Sequence, residues 1–536
     1  IEIQMKGKPA ILLVYMLNIS ILNAQLTAVE KGLHAITTDA IMAQLGFLAS
    51  DWTEGRAAGE RGEYLAGDYI ASMLRLYGVK PGGDHSGRTD YTITGAAGER
   101  SYFQNFSLIR ALPSGEPSVS ISIRSGDGTR TINLANNVDF SVRPLYRSVR
   151  TEAPVVFAGY GFRNEKIKFD DFRKTDIRGK FILIISGYPE FADKRLTPHE
   201  INTSLRAAED YAREKGAAGI LEFDPGLLLA GKAPEPEFLN MSPAERSRGP
   251  YTYRPQYYLP GKTMPDNLIR IRISAAAAAE ILKGSGISIS EYIKHAGQNR
   301  SYDLPMLSGR SVSFSSDAIL SQVAVRNVIG IIEGDDTDQA IVIGAHYDHL
   351  GMKDGYIWNG ADDNASGTVG ALMLAKALKA TGVKPGKTII IALWSSEETG
   401  LLGSRYFVRN PVIPLENIRM NLNFDMISRY ISEENKKGVD MTYTASRALF
   451  RDITEANLKK YGIDLEVNYH PSDNPPGGSD HRSFVEAGIP VMRFKPGHRE
   501  EYHTPSDEIH TIDQDIMEKI IRISFVNIWD LANSEW

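Results

Sequence analysis

No cysteine occurs anywhere in the 536 residues. That absence excludes disulfides and a lipid anchor built on an N-terminal thiol, and it leaves any metal site to nitrogen and oxygen donors. An excess of charge of one sign is lacking too. The 60 Lys and Arg stand against 66 Asp and Glu for a formal net charge of -6, with no basic stripe of the kind that tracks a phosphate backbone, so nucleic acid is not an expected partner. Behind Lys6 and Lys8, the apolar run 10–22 is too short to span a bilayer and reads as an export signal, residues 1–24, cleaved after Ala24. The expectation is an exported protein, periplasmic or secreted, with no membrane span once the signal is removed.

What is present describes an ordinary folded chain. Hydrophobic residues make up 42% and charged ones 24%, which fits a globular rather than a disordered protein. The length exceeds what one compact core supports, so at least two domains are expected. Thr38 and Asp39 predict a capped helix to about residue 50, and 61–77 a second helix ended by Gly78 and Pro81. Residues 101–109 predict a strand. From about Pro113 the texture turns β-rich and turn-punctuated, with strands expected at 119–123, 130–134, 155–157 and 181–185. A helix is expected over 207–215, loops over 228–264, and a capped helix in the alanine run that follows Ser274.

From Asn327 the rhythm becomes strand, loop, helix, strand. The runs 341–345, 388–394, 420–424 and 490–494 are apolar without alternation, as strands buried on both faces of a parallel sheet are. This is an α/β doubly wound pattern. His346 follows the first of these runs, Glu397 and Glu398 the second, and Asp425 the third. Open α/β sheets bind ligands at the carboxyl ends of their strands, so three separate strings are directed to one crevice. His346 and Asp348, two apart in extended chain, share one side, where the carboxylate is able to orient the imidazole. Adjacent acids in extended chain point opposite ways, so one of Glu397 and Glu398 can hold a metal while the other faces substrate. Asp362-Asp363-Asn364-Ala365-Ser366-Gly367 and Tyr502-His503-Thr504-Pro505-Ser506-Asp507 complete the set, with Asp480-His481 as a rival donor pair to His503. Imidazoles and carboxylates without thiolate suit zinc or another borderline-to-hard divalent ion.

At these residues the chain resembles the co-catalytic zinc aminopeptidases, the family that also contains glutamate carboxypeptidase, glutaminyl cyclase and the transferrin receptor. The resemblance implies two Zn2+, with Co2+ or Mn2+ as substitutes, held by His346 and Asp425 on one ion and Glu398 and His503 on the other. Asp363 would bridge them beside a cis peptide. It makes Glu397 the general base, Asp348 the partner of His346, and Tyr502 a donor to the oxyanion, and it leaves Asp480 and His481 outside the metal contacts. The segments 156–161, 170–172, 176–180 and 215–219 are similar to a protease-associated domain. The implied architecture is a zinc-peptidase domain over 25–112 and 309–536, a mostly parallel doubly wound sheet, interrupted at 113–308 by a β-rich α+β insert.

The implied activity is aminopeptidase action on a peptide substrate, through a metal-bridging water and Glu397. Three other activities remain on the same fold: a single-zinc glutaminyl cyclase, a carboxypeptidase or dipeptidase, and a non-catalytic receptor. Oligomeric state is not encoded in these motifs.

Overall fold

The computed structural model describes residues 26–85, 100–126, 128–173, 175–230, 255–261, 268–300, 302, 307–353, 355–430, 432–497 and 499–536. The expected export signal lies outside these residues. The chain divides into two compact units, one made of Ile1–Leu108 with Val323–Trp536 and the other of Ile109–Gln322.

In the first unit the strand order is Glu466–Pro471, Gly438–Tyr443, Val491–Lys495, Ile418–Phe424, Asp336–His346, Lys387–Trp394, then segment 328–332 and the short Lys80–Pro81 pair. Val491–Lys495, Ile418–Phe424, Asp336–His346 and Lys387–Trp394 run parallel, with Ile341 opposite Ile389 on one side and Met420 on the other. Every residue of Lys387–Trp394 is buried, because helices cover both faces and no position has a solvent side to serve. Gly367–Ala380, Gln514–Ala532 and Thr38–Leu48 contribute to one apolar cluster with Ile343, Leu393 and Leu422. Gly367 opens its helix where a Cβ would lie 2.7 Å from the Phe424 carbonyl, so only glycine lets the helix start against that strand end. The result is a mixed α/β unit with a mostly parallel central sheet, as the apolar runs predict.

The second unit is built on a sheet in the order 311–316, Val149–Phe157, Phe181–Ile185, Gly219–Phe223, Arg270–Ile273 and Phe140–Val142. Helix Pro198–Glu214 carries a capping box between Thr197 and Glu200, which starts it well before the expected residue 207. The alanine run forms Ala275–Leu282, with the Ser274 side chain accepting from the Ala277 amide.

Some boundaries differ from expectation for local reasons. Thr37 rather than Thr38 caps the first predicted helix, its side chain accepting from Ala40. The strand expected at 101–109 begins at Phe103 and runs to Ser125. Within 228–264, residues 228–230 finish helix Pro225–Ala230 and Gln256–Tyr258 is a strand paired to 109–111. Residues 255 and 259–261 lie in neither element, and 231–254 and 262–264 lie outside the described ones.

Candidate metal centre

Three strand ends and two turns supply the site. His346 closes strand Asp336–His346, Glu397 and Glu398 follow Lys387–Trp394, and Asp425 follows Ile418–Phe424. Asp363 comes from the turn Ala361–Ser366, where the Asp363–Asn364 peptide is cis. The Asn364 side chain anchors that turn to the neighbouring strand end, donating to the Phe424 carbonyl at 3.0 Å and accepting from the Met426 amide at 3.1 Å. His503 sits in the turn at 501–505 with φ 54°.

The eight residues expected to matter come together in this unit. His346 Nε2 is 3.4 Å from Asp363 Oδ1 and 3.9 Å from Asp425 Oδ1. His503 Nε2 is 3.1 Å from Asp363 Oδ2 and 3.2 Å from Glu398 Oε2. Asp363 therefore turns one oxygen toward each imidazole. Ligands bound at about 2.0–2.2 Å around a tetrahedral zinc are separated by about 3.3–3.6 Å, and these contacts fall near that range. Donor atoms of His346, Glu397 and Asp425 lie within 4.8 Å of one another, as do those of His349, Asp363 and Glu398. The residues present fit divalent metal ions in both chemistry and spacing.

Asp348 is fully buried, but its carboxylate does more for the glutamates than for His346. It accepts the Glu397 amide at 3.0 Å and the Glu398 amide at 3.3 Å. His346 Nδ1 is 3.8 Å from that carboxylate and 3.2 Å from the Asp348 carbonyl. Two converging backbone N–H groups outcompete a single ring N–H for the carboxylate, which aligns the Glu397-Glu398 turn. Tyr502 stacks on His503 with ring centroids 3.9 Å apart and keeps 42% of its surface exposed. Asp480 and His481 are buried, and burial pushes the Asp480 carboxyl up to about 7. His481 Nε2 is 3.1 Å from the Pro476 carbonyl, and burial holds its pKa down to about 4.

The electrostatics demand positive charge. Burial lowers the proton affinity of His503, yet its hydrogen bonds to Asp363 and Glu398 outweigh this and raise it to about 10. Burial opposes ionisation of Asp425, but His346, with Lys495 and Arg493 adding their fields, holds that carboxyl well below the usual range. Burial pushes Glu397 well above it, His346 opposing and Asp480 and Asp425 reinforcing. Asp348 is pushed by burial up to about 7.

Three functional positions carry no role in the sequence reading. His349 Nδ1 is 2.8 Å from Glu398 Oε1, and no sequence signal beyond its nearness to His346 marks it. Asp507 accepts the amides of Asp362 and Asp363. Arg56, completely buried, donates to the carbonyls of Tyr347, Asn359 and Gly360 at 2.8, 2.6 and 3.0 Å.

Residues 327–527 match the profile described as Peptidase family M28. The match is confined to that segment of the chain. The chain is similar to the glutamate carboxypeptidase 2 homolog of Caenorhabditis elegans, 28% identical over 277 residues, which are 45% of this chain and 35% of that protein. It is likewise similar to leupeptin-inactivating enzyme 1 of Streptomyces exfoliatus, 31% identical over 170 residues, 31% of this chain and 34% of the other. The chain thus spans about a third of the length of these curated relatives. Among solved structures, the aminopeptidase from Aneurinibacillus sp. strain AM-1 covers 95% of this chain and 97% of its own at a TM-score of 0.54 and 17% identity, a likeness of fold. The matched segment holds all the candidate ligands.

Proposed function

We propose that this protein is an exported two-zinc aminopeptidase that removes N-terminal residues from peptides. The observation that carries the reading is the placement of Asp363, one oxygen 3.4 Å from His346 and the other 3.1 Å from His503, the arrangement a bridging carboxylate requires. His346 and Asp425 would hold one ion, Glu398 and His503 the other. Bound there, two divalent ions supply Lewis-acid polarisation of the scissile carbonyl and a water of lowered pKa.

The chain's own side chains supply the rest. Glu397, lifted by burial, takes a proton from water at its carboxylate and returns it to the leaving amine, the two-way role of a positioned general base. Asp348 fixes Glu397 through its backbone amide. Tyr502, beside His503, donates its phenol to the developing oxyanion. The carboxylates of Asp425 and Glu397 offer acceptors for a substrate ammonium. The apolar run 10–22 behind Lys6 and Lys8 supports export. The motifs at 156–161 and 176–180 support reading 113–308 as a protease-associated insert.

Arg493 favours a second reading, a carboxypeptidase. Arg482 is engaged by Glu486 and Asn474, but the charge of Arg493 acts directly on Asp425, where a guanidinium is able to pair with a substrate carboxylate. Elemental analysis of the purified protein tests the metal reading: about two zinc per chain is expected, with chelator-sensitive peptide hydrolysis. One ion per chain would favour the cyclase instead.

A further inference from the structure

His349 stands outside the ligand set just proposed, although its donor atom lies within 4.8 Å of those of Asp363 and Glu398. Its side chain is wholly buried. Nδ1 lies 2.8 Å from Glu398 Oε1 and 4.0 Å from Asp363 Oδ2, and the ring meets His503 edge-on at 5.9 Å. An ionised carboxylate only accepts, so Nδ1 carries the hydrogen. Nε2 is buried without a partner, so burial of this ring has a cost that the Glu398 contact offsets.

The backbone around His349 is braced on purpose-built neighbours. Its amide donates to the Arg56 carbonyl at 3.1 Å. The Arg56 guanidinium, in turn, holds the carbonyls of Tyr347, Asn359 and Gly360. Gly360 has φ 55°, and a Cβ there would come within 2.5 Å of the His349 ring, so glycine is what makes room for the imidazole.

We infer that His349 is a positioning residue for the Asp363, Glu398 and His503 half of the centre, an inference that rests on the metal reading above. Its Nδ1–H occupies Oε1 of Glu398 and leaves Oε2, the oxygen 3.2 Å from His503 Nε2, to face the ion. Fixing which carboxylate oxygen is free orients a ligand before the metal arrives, and it acts on one ion of the two, since His346 and Asp425 make no contact of this kind with His349.

The test is zinc affinity of the full chain, measured by competition with a chromophoric chelator, for three variants. His349→Asn places an amide N–H near the Nδ1 position, His349→Gln places it near Nε2, and His349→Phe keeps ring bulk without a donor. The wild type is expected to bind two ions. In His349→Phe and His349→Gln one ion should weaken about 10–100-fold, the usual effect of losing a partner of a ligand, while the other stays within about threefold; His349→Asn should restore most of the loss. Should the Phe variant fail to fold, the Asn and Gln pair decides. Equal weakening of both ions without rescue by Asn, or two tight ions in all three variants, overturns the inference and leaves the metal reading standing. A wild type that takes up no zinc overturns both.

Discussion

Asp507 holds Asp363 by its backbone, its Oδ2 accepting the Asp363 N–H at 3.0 Å across 144 residues of sequence. The other oxygen accepts the Asp362 N–H at 2.9 Å. A carboxylate that must present one oxygen to each of two imidazoles needs its Cα fixed, and a carboxylate at 507 with two acceptor positions supplies that. Asp507→Ala leaves two buried N–H groups unpaired, which costs about 1–3 kcal/mol each, and releases the bridging turn. Denaturant unfolding should show the loss of stability, and elemental analysis a reduced zinc content. Unchanged values of both would show that Asp507 does not position the turn.

Asp363 itself contacts both imidazoles. Asp363→Ala is therefore expected to weaken both ions, whereas Asp425→Ala should weaken one, and stepwise titration with zinc separates the two patterns. Loss of a single ion on removing Asp363 would count against a bridging role.

The two adjacent glutamates should part company. Glu397→Gln keeps the shape but accepts no proton, so kcat is expected to fall about 10²-fold or more with zinc retained. Glu398→Gln weakens zinc binding instead, because Glu398 meets His503 and His349. An exchange of the two phenotypes, read from kinetics beside metal content, would reverse the roles.

How much of this was legible in the sequence follows from what each signal depends on. Strands 341–345 and 388–394 were readable because a strand buried on both faces must be apolar throughout, and His346, Glu397 and Glu398 stand out because they follow where those runs stop, whereas Asp363 and His503 lie in turns. His349 was not, since its partner Glu398 lies 49 residues away and a loop histidine has no periodicity to reveal it. Arg56 carried no signal either. A guanidinium is seldom buried, and this one is accommodated by backbone carbonyls that no pattern announces. Asp507 belonged to a quoted string, but its work is done on amides, which every residue has. The start of Pro198–Glu214 was missed at Thr197, although its box with Glu200 is a local signal.

In the second unit, Asp171 offers a pH-dependent test. Burial pushes its carboxyl up to about 7, with the hydrogen bond from the Tyr292 hydroxyl opposing. A carboxyl raised above its unfolded pKa of about 3.9 contributes stability that is complete below that value and is lost as pH rises through about 7. Asp171→Asn does not titrate, so the wild type should lose stability relative to it between about pH 4 and pH 7, by at most about 4 kcal/mol. Parallel pH profiles of the unfolding midpoints would refute the assignment.

The most direct measurement compares one peptide in three forms: free at both ends, acetylated at the amine, and amidated at the carboxyl terminus. A two-zinc aminopeptidase with Asp425 and Glu397 receiving the substrate ammonium is expected to cleave the free and amidated forms at similar rates, to leave the acetylated form intact, and to lose activity with a chelator until zinc is restored. Cleavage of the acetylated peptide together with loss of the amidated one would contradict the account and assign Arg493 the substrate carboxylate.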